Sequence, residues 1–309
     1  MSSGGSIIRE AGMIERSPVL NALTHGLMIL GLIVTAFPIY VVFIASTHDL
    51  PSVNQVPMSL VPGDHLAQNY AKVWAKSDFG AKMLNSLIVA VGVTAGKVLL
   101  AAVSAFSIVF FRYRLRMVFF WLIFITLMLP LEVRIVPTYA VAADVAEPLR
   151  WFAWLLGFEL AIAPVNLLNT YTGLILPLVA TATGTFLYRQ FFLTIPDSLV
   201  EAAKMDGAGP IRFFIEHLLP LSRNNMAALA TIMFVYAWNQ YLWPLLITTD
   251  QKMATATMQL QKIVPGPLFG QPPIWNEAMA ATLMVMAPPL LVVIFMQHYF
   301  VRGLIASDK

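Results

Sequence analysis

Six stretches of this chain are apolar for long enough to cross a lipid bilayer, and polar or basic residues separate them. They fall near 25–46, 84–111, 117–139, 171–192, 226–248 and 278–301. A helix needs about 20 such residues to span the hydrocarbon core. Inside lipid the backbone must satisfy its own hydrogen bonds, so runs of this kind predict helices. The pattern therefore predicts an all-α integral membrane protein with six transmembrane helices. A seventh apolar piece, RWFAWLLGFELAIAP from Arg150 to Pro164, is too short to span. It predicts an interfacial helix, with a buried re-entrant piece as the alternative.

Composition agrees with the pattern. Of 309 residues, 59% are hydrophobic and 11% charged, whereas soluble domains carry about 25% charged residues. The pI near 9.1 is no nucleic-acid signature, because the net charge is only +3 and the bases sit in short loops. Without cysteine there is no disulfide, iron–sulfur cluster or thiolate zinc site, and compartment cannot be read from redox chemistry.

The basic residues set the orientation. Arg9 and Arg16, then Arg112, Arg114 and Arg116, then Arg189, Lys204, Arg212 and Arg223, then Arg302 and Lys309 all fall on one side of six crossings. The positive-inside rule makes that side cytoplasmic and places both termini there. The opposite loops are longer, with Lys72, Lys76, Lys82, Arg150, Lys252 and Lys262 spread among them, and carry turn residues such as Pro57, Pro62 and Gly63 and the Pro/Gly run of 265–273. No small-residue cleavage pattern follows a short apolar region at the start, so the first span reads as a retained signal-anchor.

Between the fourth and fifth apolar runs lies a short charged insert, Glu201-Ala202-Ala203-Lys204-Met205-Asp206-Gly207, closed downstream by Leu219-Pro220. Ser198 and Glu201 have the S-x-x-E spacing of a capping box. Gly207 suits a helix stop, since glycine accepts the left-handed conformation cheaply. Pro210 suits the first turn of a second helix over 211–218, which Pro220 is expected to end. The insert thus predicts a helix–turn–helix pair at the membrane surface. Ala202 and Ala203 keep the first helix slim enough to lie in a partner's groove. On capping alone, an ordinary amphipathic loop helix reads equally well.

The full E-A-A-x-x-x-G and Leu-Pro spacing, in a basic loop of a six-span chain, resembles the permease subunits of bacterial carbohydrate-type ABC importers. The branch is that of the second permease of the maltose system. Two further strings are similar to permeases of sn-glycerol-3-phosphate importers: the third-run FITLMLP followed by Glu132-Val133-Arg134-Ile135, and the fifth-run WNQYLWPLL from Trp238. So is the tail Phe300-Val301-Arg302-Gly303-Leu304. The likeness spans about 20–309 except a stretch near 147–168, which looks like an insertion. His217 departs from the aliphatic residue usual before x-Leu-Pro.

This resemblance implies a type I importer architecture in a bacterial cytoplasmic (inner) membrane. It divides the chain into a cytoplasmic segment 1–24, a six-span permease domain 25–301 holding the coupling loop 194–224, and a tail 302–309. It implies that Glu201, Ala202, Ala203, Asp206 and Gly207 dock into a cytoplasmic ATPase. The implied partners are a second permease, two copies of that ATPase, an external solute-binding protein and the bilayer, with no nucleic acid. This chain would bind no cofactor and catalyse nothing itself, ATP and Mg being held by the ATPase. The implied solute is sn-glycerol 3-phosphate or a glycerophosphodiester, with a sugar or polyol as the alternative. A self-sufficient secondary transporter is a different class, but neither inverted repeats nor midplane ionisable sites are evident. No acid–base or metal constellation suggests a membrane enzyme.

Four residues could touch solute. Glu132 and Arg134 lie near the outer end of the third run, just after Pro130, and charges at such depth usually face water or the bundle interior. Their i, i+2 spacing prevents a helical pair. Arg134 suits phosphate oxygens, although an arginine can also snorkel to headgroups. Asn239 and Gln240 interrupt the fifth run and either line a path or bind helices together. Lys97, with Ala95 and Gly96 beside it, is expected to snorkel or pair and receives no transport role. The string Gly92 to Val98 is not a phosphate loop, having three residues between its glycines and valine after the lysine. His25 and His298 stand singly and read as structural.

Overall fold

A computed structural model of the chain describes residues 18–76, 78–264 and 274–305. Arg9, Arg16, Lys309 and the 265–273 Pro/Gly run lie outside the described residues. Among the described residues every regular element is a helix. Three helices are long and apolar enough to cross a membrane alone: Pro18–Thr47, Phe79–Phe110 and the Trp275–Tyr299 part of the last helix. The pieces Tyr171–Leu178 and Ala182–Leu193, bent by 50° at their junction, make a fourth when taken together.

The third and fifth apolar runs are not single helices, and proline explains both breaks. The third run forms Arg116–Met128 and Leu131–Ala143. Between them Leu129 (ψ 130°) is extended, because a residue before proline is sterically kept out of the helical region, and Pro130 (ψ 148°) is extended as the cap of the next helix. The fifth run forms Arg223–Trp238 and Leu242–Ile247. A continuous helix would drive the Pro244 ring into the carbonyl of Gln240, so the chain leaves helical geometry just there. The freed Gln240 carbonyl accepts instead from Thr257 Oγ1 at 2.8 Å. In the fourth run, Thr181 Oγ1 accepts from the Gly184 amide at 3.2 Å and so starts a new helix.

The Phe79–Phe110 helix is the axis of the fold. It packs along Ala182–Leu193 and Arg223–Trp238, and its buried face is built of small residues, among them Ala90, Ala101, Ala102 and Ala105. Small side chains let helices approach where lipid supplies no hydrophobic drive between them. The approach is closest at Gly92 and Gly96, where an added Cβ would stand 2.6 Å from Ile175 Cδ1 and 2.4 Å from Val179 Cγ1. With 32 residues the helix is about 48 Å long, so it reaches beyond the hydrocarbon at one or both ends.

Buried amides tie several helix ends together. Asn69 Nδ2 donates to the carbonyls of Ser46 (2.9 Å) and His48 (2.8 Å), and Asn276 Nδ2 donates to Asn69 Oδ1 (2.9 Å). Asn85 Nδ2 donates to Lys252 O and Ala254 O, while Tyr171 Oη donates to Asn85 Oδ1. Lys76 and Glu277 form an ion pair beside this network. By contrast, the first helix buries only Ile44, Ala45, Ser46 and Thr47 against the rest.

The aromatic excursion differs from the expected helix over 150–164. Its helix is Glu147–Leu155; Gly157 (φ +84°) then reverses the chain. The return strand of chain is pinned where Val165 N and Leu167 N donate to Asp144 Oδ1 and Ala142 O. An ion pair from Arg150 to Asp144 closes the base, while Trp151, Phe152 and Trp154 stand exposed.

Candidate functional site

The insert between the fourth and fifth runs folds as two short helices joined by a tight turn. The first is Asp197–Met205. It starts one residue before the expected cap: Pro196 (φ −63°, ψ 139°) is the N-cap and no side chain caps the helix. The Ser198–Glu201 capping box is therefore not formed, since Ser198 already lies in the first turn and cannot act from outside it. Asp197 in that turn complements the partial positive charge of the helix start.

The other end is as the local chemistry requires. Gly207 takes φ +74°, the Ala208 amide donates to Ala203 O at 2.9 Å, and the Gly207 amide donates to Lys204 O at 3.0 Å. These two bonds are those of a Schellman stop. Ala203 points into the protein, while Glu201, Lys204, Met205, Asp206 and Gly207 face outward. A Cβ on Gly207 would meet nothing within 4 Å, so the turn is open ground for another surface. Sequence reasoning missed Met205, which is 83% exposed, and Ile211, 75% exposed. Large apolar residues in a charged loop were the available signal.

The second helix begins at Pro210 with Gly209 as its cap, and it runs past Leu218. Pro220 does not end it, contrary to expectation. A π-turn over Phe214–Leu218 precedes the Leu219–Leu221 turn. The wider turn makes room for a ring that would otherwise strike the Glu216 carbonyl. Ser222 Oγ then donates to Leu218 O at 2.8 Å. His217 is half-buried and stacks on Phe213 (centroids 5.6 Å apart, 27°), with its Nδ1 buried and unpartnered.

Both loop helices are fastened to the membrane helices by one apolar cluster. Phe213, Leu218 and Ala203 pack with Phe106 of the axial helix, Tyr188 and Phe192 of the fourth run, and Leu229 and Met233 of the fifth. Phe110 meets Phe213 edge-on at 5.6 Å, and Phe106 meets Phe214 at 4.9 Å.

The candidate path residues sit at the helix breaks. Glu132 and Arg134 occupy the first turn after Pro130. Glu132 is exposed; Arg134 is half-buried with its Nε buried and unpartnered. No ion pair joins them among the described residues. Asn239 is exposed, and Gln240 Nε2 donates to Tyr236 O at 3.3 Å. No hydrogen bond or ion pair among the described residues links the Glu132–Arg134 pair to the Asn239–Gln240 pair. Lys97, given no role by sequence reasoning, is only 6% exposed. Its ammonium donates to Ala180 O at 3.3 Å and stands 4.7 Å from the centre of the Tyr236 ring. Its Gly92 and Gly96 neighbours carry the G-x-x-x-G spacing of close helix packing, a signal the sequence held and the phosphate-loop comparison passed over. Among the described residues no group of three His, Asp or Glu could hold a metal ion.

Residues 97–306 match the family model described as "Binding-protein-dependent transport system inner membrane component". The chain is 47% identical over 303 residues to the sn-glycerol-3-phosphate transport system permease protein UgpE of Yersinia pestis bv. Antiqua (strain Antiqua), with 96% of this chain and 100% of the relative covered. The protein of the same description from Brucella melitensis biotype 1 is 46% identical over 304 residues, with the same coverage. Among solved structures, a bacterial ABC transporter involved in the import of the acidic polysaccharide alginate superimposes with a TM-score of 0.72 at 18% identity. That match covers 92% of this chain and 97% of the other.

Proposed function

The chain belongs to the family of binding-protein-dependent transport system inner membrane components, and from that premise we propose that it is a permease subunit of an ATP-driven importer of sn-glycerol 3-phosphate or glycerophosphodiesters. The observation that carries the solute is the 46–47% identity to sn-glycerol-3-phosphate permeases along their whole length. In this reading six crossings, several of them broken helices, form half of the pathway, with both termini cytoplasmic. A second permease supplies the other half. An external binding protein delivers the solute, and two copies of an ATPase hold Mg-ATP below.

The open turn at Gly207 is the docking point in this reading. Closure of the ATPase pair moves the turn, and the cluster around Phe213 carries that movement into the axial helix and the fourth and fifth runs. Two supports favour it: a side chain added at Gly207 would meet nothing of this chain within 4 Å, and the loop's buried residues pack against three membrane segments. Glu132, Arg134, Asn239 and Gln240 are proposed to border the path, since irregular backbone at membrane depth is tolerated where it is buried in protein or lines a water-filled cavity.

The deciding measurement is ATP hydrolysis by the reconstituted complex with its binding protein. The panel is sn-glycerol 3-phosphate, glycerophosphocholine, maltose and no solute. Stimulation by the glycerophosphate compounds alone is expected. Stimulation by maltose alone would keep the importer and discard the solute; equal rates with all four would remove binding-protein coupling.

A further inference from the structure

We propose that the aromatic excursion 147–166 is a locked membrane anchor: the lipid interface at the end of the third run covers its exposed face. The inference is independent of the solute and needs only that the chain is an inner membrane component.

The excursion is held at its root before anything covers it. Val145 N donates to Val165 O at 3.0 Å, and Leu167 N donates to Ala142 O at 2.9 Å. Arg150 pairs with Asp144 and donates through Nη1 to Ile162 O at 3.0 Å, which ties the helix to the returning chain. At the far end Gly157 turns the chain, and Phe158 N donates to Ala153 O at 3.2 Å. A loop ordered in this way loses little further conformational freedom when it is covered.

What it presents is apolar over a wide arc. Leu149, Trp151, Phe152, Trp154 and Leu155 are each more than half exposed, and Ala153 alone of the Glu147–Leu155 helix is buried. At 100° per residue those five side chains spread over about 220° of the helix circumference, with Trp151 and Leu155 near its centre and Ala153 opposite. Glu147 shares the arc only in the first turn, where the excursion leaves the third run. A flat protein partner would cover one side of such a helix, whereas a fluid closes around all of it. A binding protein that comes and goes would leave the patch facing water between visits, which soluble surfaces avoid. Neither indole N–H of Trp151 and Trp154 has an acceptor among the described residues, unlike those of Trp238 and Trp243. An apolar ring with a free N–H suits the level where hydrocarbon meets headgroups.

The test uses the complete complex, with cysteine-free partner subunits, in phospholipid vesicles. This chain has no cysteine of its own, so Phe152→Cys, Trp154→Cys and Leu155→Cys each place a single nitroxide on a side chain that is already exposed. Positions 152 and 154 lie about 160° apart around the axis, flanking 155. Collision of each label with oxygen, which concentrates in lipid, is compared with collision with a water-soluble nickel chelate. At 155 the oxygen-to-chelate ratio should exceed that of the free label in buffer severalfold, as expected for burial about 5–10 Å into the interface. Both flanks should show smaller rises, and adding the binding protein should change none of the three. Shielding of any position from both reagents would mean that protein covers it, and would overturn the anchor. Ratios equal to that of the free label would place the excursion in water and overturn it too, as would new shielding when the binding protein docks.

Discussion

In the loop between the fourth and fifth runs, Gly207 combines a left-handed backbone with open space where a side chain would go. These two properties separate strain from docking. A left-handed conformation costs most L-residues about 1–2 kcal/mol, and asparagine much less. Gly207→Asn should therefore keep the turn and most of the solute-stimulated ATP hydrolysis. Gly207→Trp should insert and assemble, since nothing in this chain lies within 4 Å of the new Cβ, yet lose most of the stimulation because the ring fills the docking space. Normal stimulation in a fully assembled Trp variant would remove the turn from coupling. The Gly207 stop was legible in the sequence because its hydrogen bonds are local. The capping box was misread for an equally local reason, namely that Pro196 takes the cap position ahead of Ser198. Lys97 was illegible because its partners, Ala180 and Tyr236, come from two other segments.

Among the elements, hydropathy found the apolar runs but not their breaks. A proline in a run tells where a helix can fail, while the choice between kink and break depends on what receives the freed carbonyl, as Thr257 does for Gln240. The close contact of the axial helix with the fourth run gives a graded prediction. At Gly92 an added methyl meets the flexible end of Ile175, which can turn away. At Gly96 it meets the stiff, branched Val179, whose Cβ is itself 2.9 Å off. Gly96→Ala should destabilise the detergent-solubilised complex by about 1–3 kcal/mol, as overpacking does, and Gly92→Ala by less. Thermal unfolding of the two variants checks this, and the reverse order would refute the packing described. The aromatic excursion has its own test. Arg150, foremost by its hydrogen bond, holds the Asp144 carboxyl below its ordinary range. The tie is therefore intact above the usual carboxylate range and is lost as pH falls through the lowered value. Asp144→Asn should loosen 147–166 at every pH, seen as faster proteolysis at Arg150.

For the molecule as a whole, the coupling proposed above requires that a push on the Gly207 loop reach the helix breaks at Pro130, Ala180 and Asn239. One set of helix ends is held by polar ties around Asn69 and Asn85, while the loop and the helix ends beside it share the apolar cluster of Phe213, Phe106, Tyr188 and Leu229. Among the described residues no side-chain hydrogen bond joins members of that cluster, so the fit of its side chains comes from packing. Phe213, 6% exposed, wedges the second loop helix against Phe110. Truncating a buried phenylalanine costs about 3–5 kcal/mol and leaves a void that neighbours fill only partly. Phe213→Ala should therefore leave the turn able to bind the ATPase while slackening the link to the axial helix. The expected signature is a complex that still cross-links between position 207 and the ATPase but loses most solute-stimulated hydrolysis and uptake. Phe213→Leu, which refills most of the volume, should recover much of both. If Phe213→Ala cross-links, hydrolyses and transports like the parent, the cluster is not the transmission path, and motion must reach the breaks through the backbone of 219–223 alone.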